Sequence, residues 1–275
     1  MNQLLAQEVE KTSKTKLGNL KVLLAEDNEV NQLLARSILQ YWGLESKTAC
    51  TGSEVLELLR KEEFDIILMD IQMPEKSGIE AASEIRKLAD EKKRNIPIIA
   101  LTANAMKGEE IKYRAAGMDD YLTKPFKERE LYEVISRVFN NEGSFGRSLG
   151  ITNEAVKEVA TEEKLYDLRS VTDLARGSKE FILTLIKIFL DTIPADTKSL
   201  VIACNEKKWD AVSRLAHKLK STIDTMNMTT LKEVIRTIEL DAKQGVNIAA
   251  IPALVHKVEV AIEKTAQDLR KEFGL

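Results

Sequence analysis

Glu26 and Asp27 stand together after the apolar run KVLLA, and Asp70 closes a second such run, IILMD. Three carboxylates brought to one place repel one another unless a cation neutralises them. An oxygen-only, strongly anionic site of few ligands suits Mg²⁺, which keeps several waters and binds phosphate. Thr102 ends the run IIALT, and Lys124 directly follows DYLT. Phosphoryl transfer needs the charge on three equatorial oxygens to be positioned and neutralised, a task that a hydroxyl, an ammonium and Mg²⁺ can share. That division of labour leaves Asp70 as the nucleophile. Pro125, next to Lys124, favours a fixed turn, and an X-Pro bond can take the cis form. Any one of these residues alone is equally an ordinary solvated cap at a strand end; the combination is what points to chemistry.

The second half offers a different nucleophile. In WDAVSRLAHKLKSTI the residues Trp209, Val212, Leu215, Ala216, Leu219 and Ile223 form one stripe at helical spacing, which must face a core. His217 points about 130° from the centre of that stripe, so its imidazole is expected in solvent between Ser213 and Ser221. A near-neutral imidazole nitrogen attacks an acyl phosphate readily. Lys220, at the edge of the same face, can neutralise an incoming phosphate. Asp224, two turns on, would raise the imidazole pKa or select a basic partner surface. His256, the other histidine of the chain, is flanked by Pro252, Glu259 and Val260 and reads as a surface residue.

These side chains need elements to position them, and the chain has two rhythms. From Asn19 to about Asn140 the strand candidates KVLLAE, LESKTA, FDIILMD, IPIIALT and DYLT alternate with amphipathic helical stretches. Such alternation predicts a parallel sheet covered on both faces. Gly43 and Gly117 are expected to end helices, Gly52 to open one and Pro97 to enter a strand. The predicted architecture is an α/β flavodoxin-like (βα)5 fold with sheet order 2-1-3-4-5. In that order strands 1 and 3 are neighbours and the crevice between them is the ligand site. All the chemistry-bearing residues of the first half then lie on the carboxyl edge. From Leu165 onward only helical periods remain, separated at Gly177, Pro194, the Lys207–Lys208 region, Asn227 and the stretch from Gly245 to Pro252, which predicts a four-helix bundle. The expected division is a polar leader over 1–18, a first domain over 19–140, a linker over 141–164 that is rich in Gly, Ser and Asn at its start, and a helical domain over 165–275.

Composition narrows the classes. The 275 residues are 44% apolar and 31% charged, with a net charge of −3, which gives each half material for its own core. No cluster of lysine and arginine marks a nucleic-acid footprint, so the expected partners are proteins. Cys50 and Cys204 lie in different halves without a Cys or His at ligand spacing and are expected to be reduced thiols, as in a cytoplasm. No apolar run approaches the roughly 20 residues of a membrane span, so neither export nor membrane contact is expected of this chain itself.

The segments VLLAEDN, LMDIQMPEKSG, ALTA and GMDDYLTKPF resemble, in order and at compatible spacing, the motifs of response-regulator receiver domains. The resemblance implies that Glu26, Asp27, Asp70 and the backbone carbonyl of Gln72 bind Mg²⁺, that Asp70 becomes an acyl phosphate, and that Thr102 and Lys124 contact it. It also implies that Tyr121 is a switch aromatic which turns inward as Thr102 moves; by the residues alone it is equally a half-buried strand aromatic. Over about 165–273 the chain resembles the histidine-containing phosphotransfer (HPt) domain, with AHKLKS in place of AH-x-LKG and Asn227 in place of a second glycine, where a left-handed helix end suits Asn next after Gly. The two resemblances together imply a phosphorelay like the tail of a hybrid sensor kinase: phosphate passes from a sensor histidine kinase to Asp70, and His217 carries it between receivers. No Gly-rich nucleotide loop is present in either half, so a kinase activity using ATP is not expected of these residues. Two alternatives remain at this point: a receiver fold that only docks partners, and an aspartate-nucleophile phosphatase, which would usually carry Asp where Gln72 stands.

Overall fold

The computed structural model describes residues 17–103, 108–139 and 164–275. They form two compact units, one ending at Phe139 and the other beginning at Lys164. Almost all of the expected leader and of the expected linker lies outside the described residues.

In the first unit five parallel strands, β1 (Lys21–Ala25), β2 (Glu45–Ala49), β3 (Ile66–Asp70), β4 (Ile98–Thr102) and β5 (Asp120–Thr123), form one sheet in the order β2-β1-β3-β4-β5. The expected fold class and strand order hold. Strands β3 and β4 are buried at every position, as central strands covered on both faces must be. One face packs Leu23, Ile67, Met69, Ile98 and Ala100 against the helices α2 (Gly52–Lys61) and α3 (Gly78–Ile85). The alternate residues Val22, Leu24, Leu68, Ile99 and Leu101 are equally buried, and α1 (Glu29–Tyr41) and α6 (Glu128–Phe139) flank the sheet at β2 and β5. A four-residue turn, α4 (Glu91–Arg94), precedes β4, and α5 (Glu109–Ala115) precedes β5.

The punctuation follows local chemistry. Asn28 caps α1 by accepting from the amides of Val30 and Asn31, an interaction of about 1 kcal/mol. Ser77 and Glu80 form a reciprocal capping box at the start of α3. Gly43 and Gly117 follow helices with φ of 77° and 84°, the left-handed ends expected of them.

The second unit is all helical: α7 (Arg169–Leu174), α8 (Lys179–Asn205), α9 (Trp209–Thr225), α10 (Thr229–Gln244) and α11 (Ile251–Phe273), with a short 3₁₀ turn at Ile248–Ala250. The four long helices pack as α8 on α9 and α11, and α10 on α9 and α11, the expected bundle. Pro194 does not separate two helices as expected; it sits inside α8. A proline forfeits one backbone bond and crowds the carbonyl four residues back, but here the turns on both sides are anchored by buried Phe189, Ile193, Thr197 and Leu200. That packing outweighs the local preference to stop.

Candidate functional site

The carboxyl ends of the strands bring the predicted residues of the first unit together. Glu26 and Asp27 follow β1, Asp70 ends β3, Thr102 ends β4 and Lys124 follows β5. One carboxylate oxygen from each of Glu26, Asp27 and Asp70 lies within 4.8 Å of the other two. The buried Lys124 ammonium donates to Glu26 Oε2 at 2.8 Å and to Asp70 Oδ2 at 2.5 Å. The peptide bond between Lys124 and Pro125 is cis.

Two of the three acids, Glu26 and Asp70, are held from behind. Glu26 Oε1 accepts from the Asn28 amide at 3.2 Å and from Asn31 Nδ2 at 3.0 Å, and Gln32 Nε2 donates to the Glu26 carbonyl at 2.7 Å. The Gln72 amide donates to Asp70 Oδ1 at 3.1 Å, so the chain after β3 folds back on the carboxylate. Gly78 is what permits that fold: a Cβ there would lie 2.1 Å from the Asp70 carbonyl oxygen. Burial dominates the electrostatics of Asp70; loss of water and the nearby Glu26 and Asp27 charges outweigh Lys124 and push its carboxyl up to about 7. Lys124, facing two carboxylates, is driven above its ordinary value despite its own burial. Three oxygen donors on one open edge, with excess negative charge, fit a small divalent cation.

Thr102 Oγ1 lies 2.9 Å from the Tyr113 hydroxyl, and the Tyr113 and Tyr121 rings sit 6.2 Å apart at 57°. Tyr121 is partly buried. Tyr113 was not singled out by sequence: in IKYRAAG nothing distinguishes its hydroxyl from an ordinary core aromatic.

In the second unit the structure corrects the expected setting of His217. His217 is not directed freely into solvent; only 9% of its surface is exposed. The face opposite the apolar stripe of α9 is covered by α10, and Glu239 on that helix has Oε1 2.6 Å from His217 Nδ1. Lys220, also buried, donates to Glu239 Oε2 at 2.5 Å, and Ser213 donates to the Glu239 carbonyl at 3.1 Å. Burial alone would raise the Glu239 carboxyl, but His217 and Lys220 outweigh it and hold the carboxyl at about 2. Glu239 was missed by sequence, although its position gave a signal. It lies one turn after the buried Ile235 and beside the buried Ile238, where an acid at the margin of an apolar stripe faces a neighbouring helix. Asp224 is paired with Arg236 at 2.8 Å and is not directed at the imidazole. Asn227 has a φ of 47°, the left-handed conformation expected of it. His256 is a surface residue, with 73% of its side chain exposed.

A five-stranded parallel sheet with an acid cluster at its carboxyl edge, followed along the chain by a helical bundle with a carboxylate-paired histidine, defines a two-unit class of protein, α/β and then all-α. Residues 22–136 match the family model described as the response regulator receiver domain, and residues 184–272 match that of the Hpt domain. The chain is 42% identical over 114 residues to the polar-differentiation response regulator DivK of Brucella ovis, covering 42% of this chain and 91% of that one. It is 30% identical over 226 residues to the sensor protein GacS of Pseudomonas syringae pv. syringae, covering 82% of this chain and 25% of that one. With the signal transduction histidine-protein kinase BarA of Escherichia coli K12 it shares 28% identity over 263 residues, 96% of this chain and 28% of that one. The chain belongs to the response-regulator receiver family, carries an Hpt domain after its receiver, and is a protein of two-component phosphorelays. It spans about a quarter of the length of GacS and BarA.

Proposed function

We propose that Asp70 accepts a phosphoryl group from a phosphohistidine of a sensor histidine kinase, and that His217 carries phosphate between receiver domains. The observation that supports this reading best is the Lys124 ammonium bonded at once to Glu26 and Asp70 beside Asp27. In the first transfer an Asp70 carboxylate oxygen attacks phosphorus, the bond from phosphorus to the kinase imidazole breaks, and the nitrogen leaves with the electron pair. Lys124 and Thr102 contact the transferred oxygens. Glu26, Asp27, Asp70 and the Gln72 carbonyl would hold a Mg²⁺ ion, which would supply positive charge to the transferring group when bound. In the second transfer Nε2 of His217 attacks the phosphorus of an aspartyl phosphate, whose carboxylate leaves. Glu239 holds the Nδ1 side of the ring, which selects Nε2 as the attacking atom, and offsets the positive charge that develops there. Lys220 holds Glu239 in place.

The domain boundaries proposed for this reading are 19–140 for the receiver and 165–275 for the Hpt bundle, with 141–164 joining them. The proposed partners are a sensor histidine kinase upstream and a separate receiver downstream. Both cysteines are free, which suits the reducing cytoplasm proposed for the chain. No helix among the described residues is long and apolar enough to cross a membrane.

Acetyl phosphate with Mg²⁺ should add one phosphate to the wild-type receiver by intact mass and none to Asp70→Asn. With a phosphorylated receiver as donor, base-stable label should appear on wild type and His256→Ala and be absent from His217→Ala. Label that survives Asp70→Asn in the first assay, or that is lost in His256→Ala alone in the second, overturns the assignment.

A further inference from the structure

We propose that Tyr113 is a positioning residue for Thr102: its buried hydroxyl holds the threonine hydroxyl away from the phosphoryl site and must release it when Asp70 is phosphorylated. The inference deepens the receiver reading and rests on it. Thr102 and Tyr113 are 4% and 2% exposed, and their hydroxyls are 2.9 Å apart. A threonine hydroxyl swings about one bond, so reaching an oxygen on Asp70 takes it out of this contact. Tyr113 is almost fully buried among the described residues, and a buried hydroxyl that loses its partner is costly. The contact therefore biases the receiver towards its unphosphorylated arrangement.

Position makes the release consequential. Thr102 ends β4, Tyr113 lies in α5, and the Tyr113 ring packs against Tyr121 on β5. When Thr102 leaves, α5 loses a fixed point and Tyr121 gains a neighbouring hydroxyl seeking a partner, so two elements respond together. A phenylalanine would keep the packing of the ring and remove only the latch.

The test is the apparent affinity for beryllium fluoride, which stands in for the phosphoryl group on a carboxylate, measured by calorimetry with Mg²⁺ saturating. Tyr113→Phe should bind about fivefold more tightly than wild type, the scale of one buried hydrogen bond. On a Thr102→Val background the same substitution should change nothing, because the latch has no second half. Affinity for Mg²⁺ alone should match wild type, a reading that general damage to the edge would disturb. Unchanged or weaker beryllium fluoride binding by Tyr113→Phe, or an equal gain on the Thr102→Val background, overturns the latch while leaving Asp70 as the acceptor. Failure of wild type to bind beryllium fluoride overturns the receiver reading, and the latch with it.

Discussion

Asp70 is a buried carboxyl and Glu239 a half-buried one, yet their surroundings push them in opposite directions, and each push is measurable. Asp70, raised to about 7 from an ordinary 3.8, binds a proton more readily folded than unfolded. Its charge therefore costs stability, and the cost grows as pH rises from about 4 to about 7 and persists above. Asp70→Asn should stabilise the Mg²⁺-free receiver by about 1–2 kcal/mol at pH 8, with the gain fading towards pH 5 in chemical denaturation. Mg²⁺ should then stabilise the variant less than the wild type. Glu239, held at about 2 against an ordinary 4.5, gives the reverse sign. Its contribution is complete above about pH 4.5 and is lost as pH falls towards 2, so Glu239→Gln should flatten the acid limb of bundle unfolding. The same substitution should slow phosphoryl transfer to His217 about tenfold, because a hydrogen bond to a charged partner is replaced by a neutral one. An unchanged transfer rate would remove Glu239 from the proposed mechanism.

At the scale of elements, two backbone positions carry more than their side chains suggest. Gly78→Ala would set a Cβ 2.1 Å from the Asp70 carbonyl, and the resulting shift should cost the receiver about 1–3 kcal/mol and weaken Mg²⁺ binding with it. Asn227→Ala, at a φ of 47°, should destabilise the bundle by about 1 kcal/mol, whereas Asn227→Gly should be better tolerated; thermal melts of the two variants beside the wild type decide the order. These positions also show what was legible in advance. The strands could be read because β-branched runs and turn residues act locally, whereas their order and the edge they share came with the flavodoxin-like fold class that the alternation suggested. The left-handed turn at Asn227 was legible for the same reason. Pro194 was misread because its helix is held by packing from distant residues such as Phe189 and Leu200. His217 was expected in solvent because a helical wheel shows which way a side chain points, not which neighbour stands there. Glu239 and Tyr113 escaped because each acts through one partner on another element.

For the whole molecule, two units with separate cores imply two unfolding events. Calorimetry should resolve two transitions, and Mg²⁺ should raise only the receiver's. Fragments 17–140 and 164–275 should each melt as the corresponding half of the intact chain does, within about 1 kcal/mol. A single transition, or a Mg²⁺ shift in both, would show that the cores are coupled. The contact between Glu239 and His217 sets how such a molecule keeps time. On the proposed relay, a ring held at Nδ1 by a neighbouring helix does not reach out for its donor, so a receiver has to come to the Nε2 side of the histidine. Throughput then depends on arrivals, set by how many receivers are present and how often they meet this face, rather than on any motion of the histidine.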